Sequence, residues 1–365
     1  MTEGGGTVPD RETARSAGPG SGPAGAPAAI ALTPILSARY RARDLDRIRE
    51  AAPGARIVSL SVEGLSDEPV DDVEVLLHGW LSSEAFDRLL ARAPRLAWVH
   101  SASAGVERAL TPASRERGIV ITNARGVFSR PIAEYVMMMI LAVSRRLPGL
   151  LELQRERTWQ PLEGTELRDV TVGIVGLGSI GRAVGALATA FGCRVVATRR
   201  RPESGGARSV PADATGDDVS FGEAMLERLG GPETLPALLA ESDFVVLAAP
   251  LTPETQNMID AATLALMKPG SWLINVARGK LVDELALVRA LRDGPLGGAI
   301  LDTFRDEPLP PSSPFYDLPN VIVTPHTSWS SGRVLDRSVE LFCDNLRRFA
   351  AGEPLVNVVD PRQGY

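Results

Sequence analysis

One hexapeptide constrains this 365-residue chain more than any other: Gly176-Leu-Gly178-Ser-Ile-Gly181. It follows Val172-Gly-Ile-Val175, an apolar run short enough for a buried strand, and leads into the helical composition of Arg182-Ala-Val-Gly-Ala-Leu-Ala. Strand, tight turn and helix in that order are what a dinucleotide pyrophosphate cradle requires. Gly176 permits the sharp turn, Gly178 lets the backbone approach phosphate, and Gly181 lets helix and strand pack closely. A glycine triplet alone is weak evidence, and its flanks make this one specific. Gly176, Gly178, Ser179, Ile180 and Gly181 are therefore candidate cofactor contacts.

The turn opens the stronger of two alternations of apolar runs with helical segments. The second alternation spans Val170 to Val323, with strand candidates Thr171 to Val175, Arg194 to Thr198, Phe244 to Ala248, Ser271 to Val276, Gly298 to Leu301 and Val321 to Val323. An earlier one runs from Ala31 through Ile57 to Val62, Val73 to Leu77, Leu96 to Val99 and Ile119 to Thr122. Both predict parallel α/β layers. A helix from Pro131 to Arg146, with Glu134 in its first turn, would connect the lobes. The helical pattern from Val334 to Ala350 and the run Leu355 to Val359 find no partner in the second lobe and return to the first. The expected division is a disordered tail over 1–29, a discontinuous substrate-binding domain of 30–128 plus 330–365, and a dinucleotide-binding domain of 129–329. A 44% hydrophobic content is enough for two such cores.

Composition excludes several classes. The Gly-, Ala- and Pro-rich first 29 residues cannot bury enough side chain to order themselves, and Glu3, Asp10 and Glu12 precede any apolar stretch, against a secretory signal. A formal charge of -6 gives no broad basic field for nucleic acid. Apolar runs such as Val136 to Val143 are too short to span a bilayer. Two distant cysteines, Cys193 and Cys343, and three histidines argue against a disulfide framework or a metal site and for a reduced cytoplasm.

Downstream of the glycine turn, Arg278, Glu307 and His326 stand at the ends of successive apolar runs. A guanidinium to grip a carboxylate, an imidazole to protonate an oxygen and a carboxylate to support the imidazole are the groups that carbonyl reduction needs. After the strand that follows the glycine helix, an acidic residue would bind the ribose of NAD. The chain instead reads Ala197-Thr-Arg199-Arg-Arg-Pro202. Arg199 and Arg200 fit a 2'-phosphate, so NADP is favoured over NAD.

The chain resembles the D-isomer-specific 2-hydroxyacid dehydrogenases, in particular glyoxylate/hydroxypyruvate reductases, from about Ala31 to Val359. The resemblance lies in Ser101-Ala-Ser-Ala-Gly-Val106, Thr122-Asn-Ala-Arg-Gly126, the glycine turn, Pro250-Leu-Thr-Pro-Glu-Thr255, Asn275-Val-Ala-Arg-Gly279, Asp302-Thr-Phe-Arg-Asp-Glu-Pro308 and Thr324-Pro-His326. It implies an α/β fold of two Rossmann-like, doubly wound parallel-sheet domains with the active site in the cleft between them, usually in a homodimer. Arg278 would bind the substrate carboxylate, His326 would be the general acid and Glu307 its partner. Ser103, Ala104, Gly105 and Val106 would receive the carboxylate on backbone amides. Pro250, Thr255, Ala277 and Asp302 would line the cofactor, Asp302 holding the nicotinamide carboxamide. Glu307, where formate dehydrogenases carry Gln, favours ordinary 2-oxo acid reduction to the D-hydroxy acid.

His78 and His100 lie near the cleft but are more simply structural, and Trp329 either shapes the pocket or packs. The stretch 203–231 is longer than the usual connection and reads as a surface excursion near the adenosine end. No regulatory domain follows Val359, which favours a small oxo acid over the substrate of the serine-pathway phosphoglycerate dehydrogenases. The rival readings are an NAD-linked dehydrogenase of a bulkier or phosphorylated hydroxy acid, and a nucleotide-sensing corepressor-like protein on the same scaffold.

Overall fold

The continuous apolar runs are strands covered on both faces. In the computed structural model, which describes residues 25–34, 40–202 and 225–362, strands β1 Ala29–Leu32, β2 Arg56–Ser59, β3 Val73–His78, β4 Trp98–Ser101 and β5 Val120–Asn123 form one sheet. Strands β6 Thr171–Val175, β7 Arg194–Thr198, β8 Arg228–Gly230, β9 Phe244–Leu247, β10 Trp272–Asn275, β11 Gly298–Leu301 and β12 Val321–Val323 form the other. Their orders are β2-β1-β3-β4-β5 and β12-β11-β10-β9-β6-β7-β8, with every strand pairing parallel.

Successive side chains of a strand point to opposite faces, and here both faces are apolar. On β9, Phe244 and Val246 enter one core, while Val245 and Leu247 enter the other. On β1, Ala29 and Ala31 face one layer, and Ile30 and Leu32 the opposite one. Helices supply the cover: α1 Ala42–Ala51, α2 Ser83–Arg92, α3 Pro112–Glu116, α4 Ser129–Ser144 and α5 Leu147–Arg155 in the first part of the chain. They are followed by α6 Ser179–Ala190, α7 Leu235–Glu241, α8 Ala261–Leu264, α9 Glu284–Asp293 and α10 Val334–Ala351.

Helix α10 returns to the first sheet. Phe342 and Phe349 each lie 5.5 Å from the Trp98 ring on β4, and Val339 and Leu346 complete that layer. The helix stops at Gly352, which adopts the left-handed φ of 67° that ends helices without a Cβ clash. Among the described residues beyond it, the run Leu355 to Val359, which had the look of a strand, makes an isolated antiparallel bridge, Thr122 with Val358. Helix α4 packs instead with the second sheet, Val136 and Ile140 sharing a core with Val184 and Ala188 of α6.

Several sequence expectations shift. Ala29 is fully buried in β1 and Gly25 N–H donates to Ala350 O at 2.8 Å, so the expected tail stops short of residue 25, and residues 1–24 lie outside those described. Glu134 is not in the first turn of α4, which begins at Ser129; it pairs with Arg130 one turn earlier, at 3.1 Å. The expected excursion ends in β8, an added edge strand that short spacing hid, and its residues 203–224 fall outside the described part. Helix α5 was not foreseen, and none of its residues is buried.

Candidate active site

The glycine turn sits where the second sheet reverses direction of winding, since β6 lies between β7 and β9. Gly176 has φ of +102°, and a Cβ there would meet backbone atoms of Ala249 at 2.6 Å. Gly176 and Leu177 N–H groups donate to Thr198 O at 3.1 and 3.0 Å, fixing the turn to the end of β7. A Cβ on Gly181 would collide with Gly176 O, whereas one on Gly178 would enter open space. A tight turn with clear space before the first turn of α6, where Ser179 and Ile180 lie, fits a pyrophosphate held on helix N-terminal amides. Beside it, Thr255 Oγ1 donates to Pro250 O at 2.7 Å and closes the turn after β9.

At the adenosine end, Arg199 follows β7. Its N–H donates to Gly230 O at 2.9 Å and its Nη2 to Pro202 O at 2.8 Å. Arg200 is exposed. Glu254, held below the ordinary carboxylate value first by its hydrogen bond with Thr252, also feels the charge of Arg200. Arg200 thus feels the turn after β9, while Arg199 is bonded to β8 and to the chain just after β7.

Arg278 leaves the end of β10 and reaches the first sheet. Asn275 Nδ2 donates to Arg278 O at 3.0 Å, and Asn275 Oδ1 accepts from Ala277 N–H at 3.1 Å, so the turn is built by the last strand residue. Arg278 Nη1 donates to Ala277 O at 2.8 Å, and Nε pairs with Glu107 at 3.3 Å. A Cβ on Gly105 would collide with Arg278 Nη2, so the guanidinium lies directly on the loop after β4. In that loop Ala104 O accepts from Asn123 Nδ2 at 2.8 Å, and Gly105 O accepts from Ser103 Oγ at 2.7 Å. Because N–H and C=O of a trans peptide point oppositely, the amides of Gly105 and Val106 face away from those partners. A guanidinium beside such amides is an arrangement that can receive an anion.

His326 Nδ1 lies 2.8 Å from Glu307 Oε2, and Glu307 Oε1 accepts from Phe304 N–H at 2.9 Å. Burial raises the Glu307 carboxyl, but the His326 hydrogen bond, the Phe304 amide and the charges of His326 and Arg278 outweigh it and hold the group below its ordinary value. That effect also places Arg278 within electrostatic reach of the pair. With Nδ1 engaged, Nε2 is the position at which His326 can exchange a proton. The ring is 41% exposed on a backbone with φ of +48°, an uncommon conformation for a non-glycine residue.

Asp302 holds that backbone. It is fully buried, and its carboxylate accepts from Thr324 Oγ1 at 2.6 Å, Thr327 N–H at 2.8 Å and Ser328 N–H at 3.0 Å. The role the structure gives Asp302, where a contact with nicotinamide was expected, is anchorage of the histidine loop. Tyr135 of α4 adds a hydrogen bond to Thr324 Oγ1 at 2.7 Å. Burial, with the Asp302 charge against the Thr324 hydrogen bond, pushes its hydroxyl up to about 12. Sequence reasoning missed Tyr135 and Glu107. The only signal for Tyr135 was a hydroxyl at the head of the apolar run in the middle of α4.

His78 and His100 are buried in the first lobe, and burial lowers them to about 4 and about 3. His78 meets the Phe86 ring edge-on, and His100 packs on Phe342. Both serve the core. Trp329 Nε1 donates to His326 O at 2.7 Å, so it braces the histidine loop. Among the described residues no helix is long and apolar enough to cross a membrane, and no cluster of His, Cys, Asp and Glu could hold a metal ion.

Residues 137–328, more than half of the chain, match the model of the D-isomer specific 2-hydroxyacid dehydrogenase, NAD binding domain. The chain belongs to the D-isomer-specific 2-hydroxyacid dehydrogenase family. As a member it is an NAD(P)-dependent oxidoreductase acting on CH–OH groups, reducing 2-oxo acids in the reverse direction. It is 33% identical to a glyoxylate reductase of Korarchaeum cryptofilum over 87% of this chain and 90% of that protein. A D-isomer specific 2-hydroxyacid dehydrogenase of Xanthobacter autotrophicus, solved with NADPH and MES, is 30% identical, with a TM-score of 0.78 over 93% of this chain and 100% of that one. An NADPH-dependent glyoxylate/hydroxypyruvate reductase of Sinorhizobium meliloti, solved with NADP and sulfate, is 27% identical, with a TM-score of 0.74 over 92% of this chain and 100% of its own. The match to mycobacterial D-3-phosphoglycerate dehydrogenases, 36% identical, spans about half (48%) of their length.

Proposed function

We propose that this dehydrogenase reduces glyoxylate, hydroxypyruvate or a comparably small 2-oxo acid with NADPH, giving the D-hydroxy acid where the product is chiral. The observation that carries the reading is the meeting of Arg278 with the Gly105 loop while Glu307 holds Nδ1 of His326. Gly176, Gly178, Ser179, Ile180 and Gly181 would hold the pyrophosphate, with Pro250, Thr255, Ala277 and Asp302 lining the rest of the cofactor site. Arg199 and Arg200 would take a 2'-phosphate, a charge-assisted contact that NADH lacks. When bound, the cofactor supplies hydride from its nicotinamide ring. Arg278 and the amides of the Ser103 to Val106 loop hold the substrate carboxylate and orient the ketone. Arg278 also stabilises negative charge growing on the carbonyl oxygen. His326 delivers the proton from Nε2, and Glu307 stabilises the charged imidazole before delivery.

In this reading the substrate domain is the five-stranded sheet with α10, and the cofactor domain is the seven-stranded sheet with α4. A homodimer accords with the apolar surface of Met138, Leu147, Leu150, Leu151 and the wholly exposed Trp159. Buried thiols at Cys193 and Cys343 accord with a reducing, cytoplasmic setting. The deciding experiment follows NADPH and NADH absorbance with glyoxylate, hydroxypyruvate and 3-phosphohydroxypyruvate. Highest efficiency for NADPH with one of the two smaller acids is expected. Highest efficiency for the phosphorylated acid with NADH would replace this substrate assignment.

A further inference from the structure

Three hydroxyl and carboxyl groups run in line from helix α4 to the loop that carries His326. Tyr135 on α4 meets Thr324, and Thr324 donates to Asp302. A threonine hydroxyl carries one proton, and Thr324 has given it to the carboxylate, so the Tyr135 hydroxyl is the donor in the first bond. The polarity is thus fixed from helix to carboxylate. Asp302 in turn receives the amides of Thr327 and Ser328, on the far side of His326, while His326 N–H donates to Thr324 O at 3.0 Å. Residues 324 to 328 are therefore pinned on both sides of a histidine whose φ of +48° needs such restraint.

We propose that Tyr135 is a positioning residue for the reaction: through Thr324 and Asp302 it sets the height of the His326 ring against Glu307 and the substrate carbonyl. Helix α4 packs with α6, the helix that opens on the glycine turn. Tyr135 thereby references the proton donor to the element that carries the cofactor cradle. The proposal rests on His326 being the acid.

The test is a double-mutant cycle on Tyr135→Phe, Thr324→Val and the pair, with His326→Ala beside it. Hydroxypyruvate kinetics should show kcat lowered about two- to tenfold by Tyr135→Phe, the scale of one hydrogen bond, and further by Thr324→Val, with KM for NADPH unchanged. Because the tyrosine acts through the threonine, adding Tyr135→Phe to Thr324→Val should cost nothing more. A second readout avoids turnover. Of the three histidines only His326 is exposed, so carbethoxylation by diethyl pyrocarbonate reports that ring alone. Its rate should rise in both single variants as the loop loosens, with thermal midpoints confirming folded protein.

Additive losses in kcat, or a carbethoxylation rate equal to wild type in Tyr135→Phe, would overturn the proposal. Should His326→Ala keep its turnover, it is the assignment of the acid that fails, and the carbethoxylation arm still decides the geometry.

Discussion

The two ends of the cofactor cleft are built differently. At the proposed catalytic end the loop of one half-exposed ring, His326, is held by the buried Asp302 carboxylate through the loop's own Thr327 and Ser328 amides and by a tryptophan indole on its backbone, while Glu307 holds the ring itself. At the proposed adenosine end Arg200 is exposed, and Arg199 donates through its backbone N–H to Gly230 O and through Nη2 to Pro202 O. Proton transfer requires a donor fixed to a fraction of an ångström, whereas recognition of a 2'-phosphate tolerates flexible cations. The first end should therefore control turnover, and the second should control only which cofactor binds.

The largest expected effect breaks or upholds that separation. Replacing His326 with Ala should lower kcat roughly 100- to 10,000-fold while NADPH affinity, read by fluorescence titration, stays near wild type. A comparable loss of NADPH affinity would show the ends to be coupled. Arg278→Lys keeps charge but loses the planar fork that meets both carboxylate and carbonyl. A fall in kcat/KM for hydroxypyruvate on the order of 100-fold is expected in initial-rate assays. At the other end, Arg199→Ala should reduce the NADPH to NADH preference about tenfold, with kcat at saturating cofactor unchanged. An unchanged preference would leave Arg199 a solvated loop charge.

The smallest effect concerns acid stability. Glu307 has a folded pKa held below the ordinary 4.5, so it binds its proton less readily when folded. Its contribution to stability is present above that value and is lost as pH falls through the folded pKa. Thermal midpoints of wild type and Glu307→Gln should therefore converge as the pH drops below about 4.5. The difference is expected to be small because the Glu307 side chain is 36% exposed.

Both sheets were legible because parallel strands buried on two faces leave unbroken apolar runs, and Thr171 to Val175, Arg194 to Thr198, Gly298 to Leu301 and Val321 to Val323 were found to the residue. The edge strand β8 was not, since three residues with one buried glycine carry no such run. Glu307 and His326 were legible as chemistry, a carboxylate and an imidazole at strand ends. The anchoring of their loop was not, because the Asp302 contacts are mostly to backbone amides, which carry no residue signature. Tyr135 meets Thr324 across 189 positions, a proximity that only the packing of α4 creates.

The central claim is geometric, and a crystal structure with NADP and oxamate, whose carbonyl beside a carboxylate mimics a 2-oxo acid, tests it most directly. The oxamate carboxylate should lie on Arg278 and the Gly105 and Val106 amides, with its carbonyl oxygen within hydrogen-bond reach of His326 Nε2. Oxamate bound with that oxygen turned from His326, or held away from Arg278, would contradict the account.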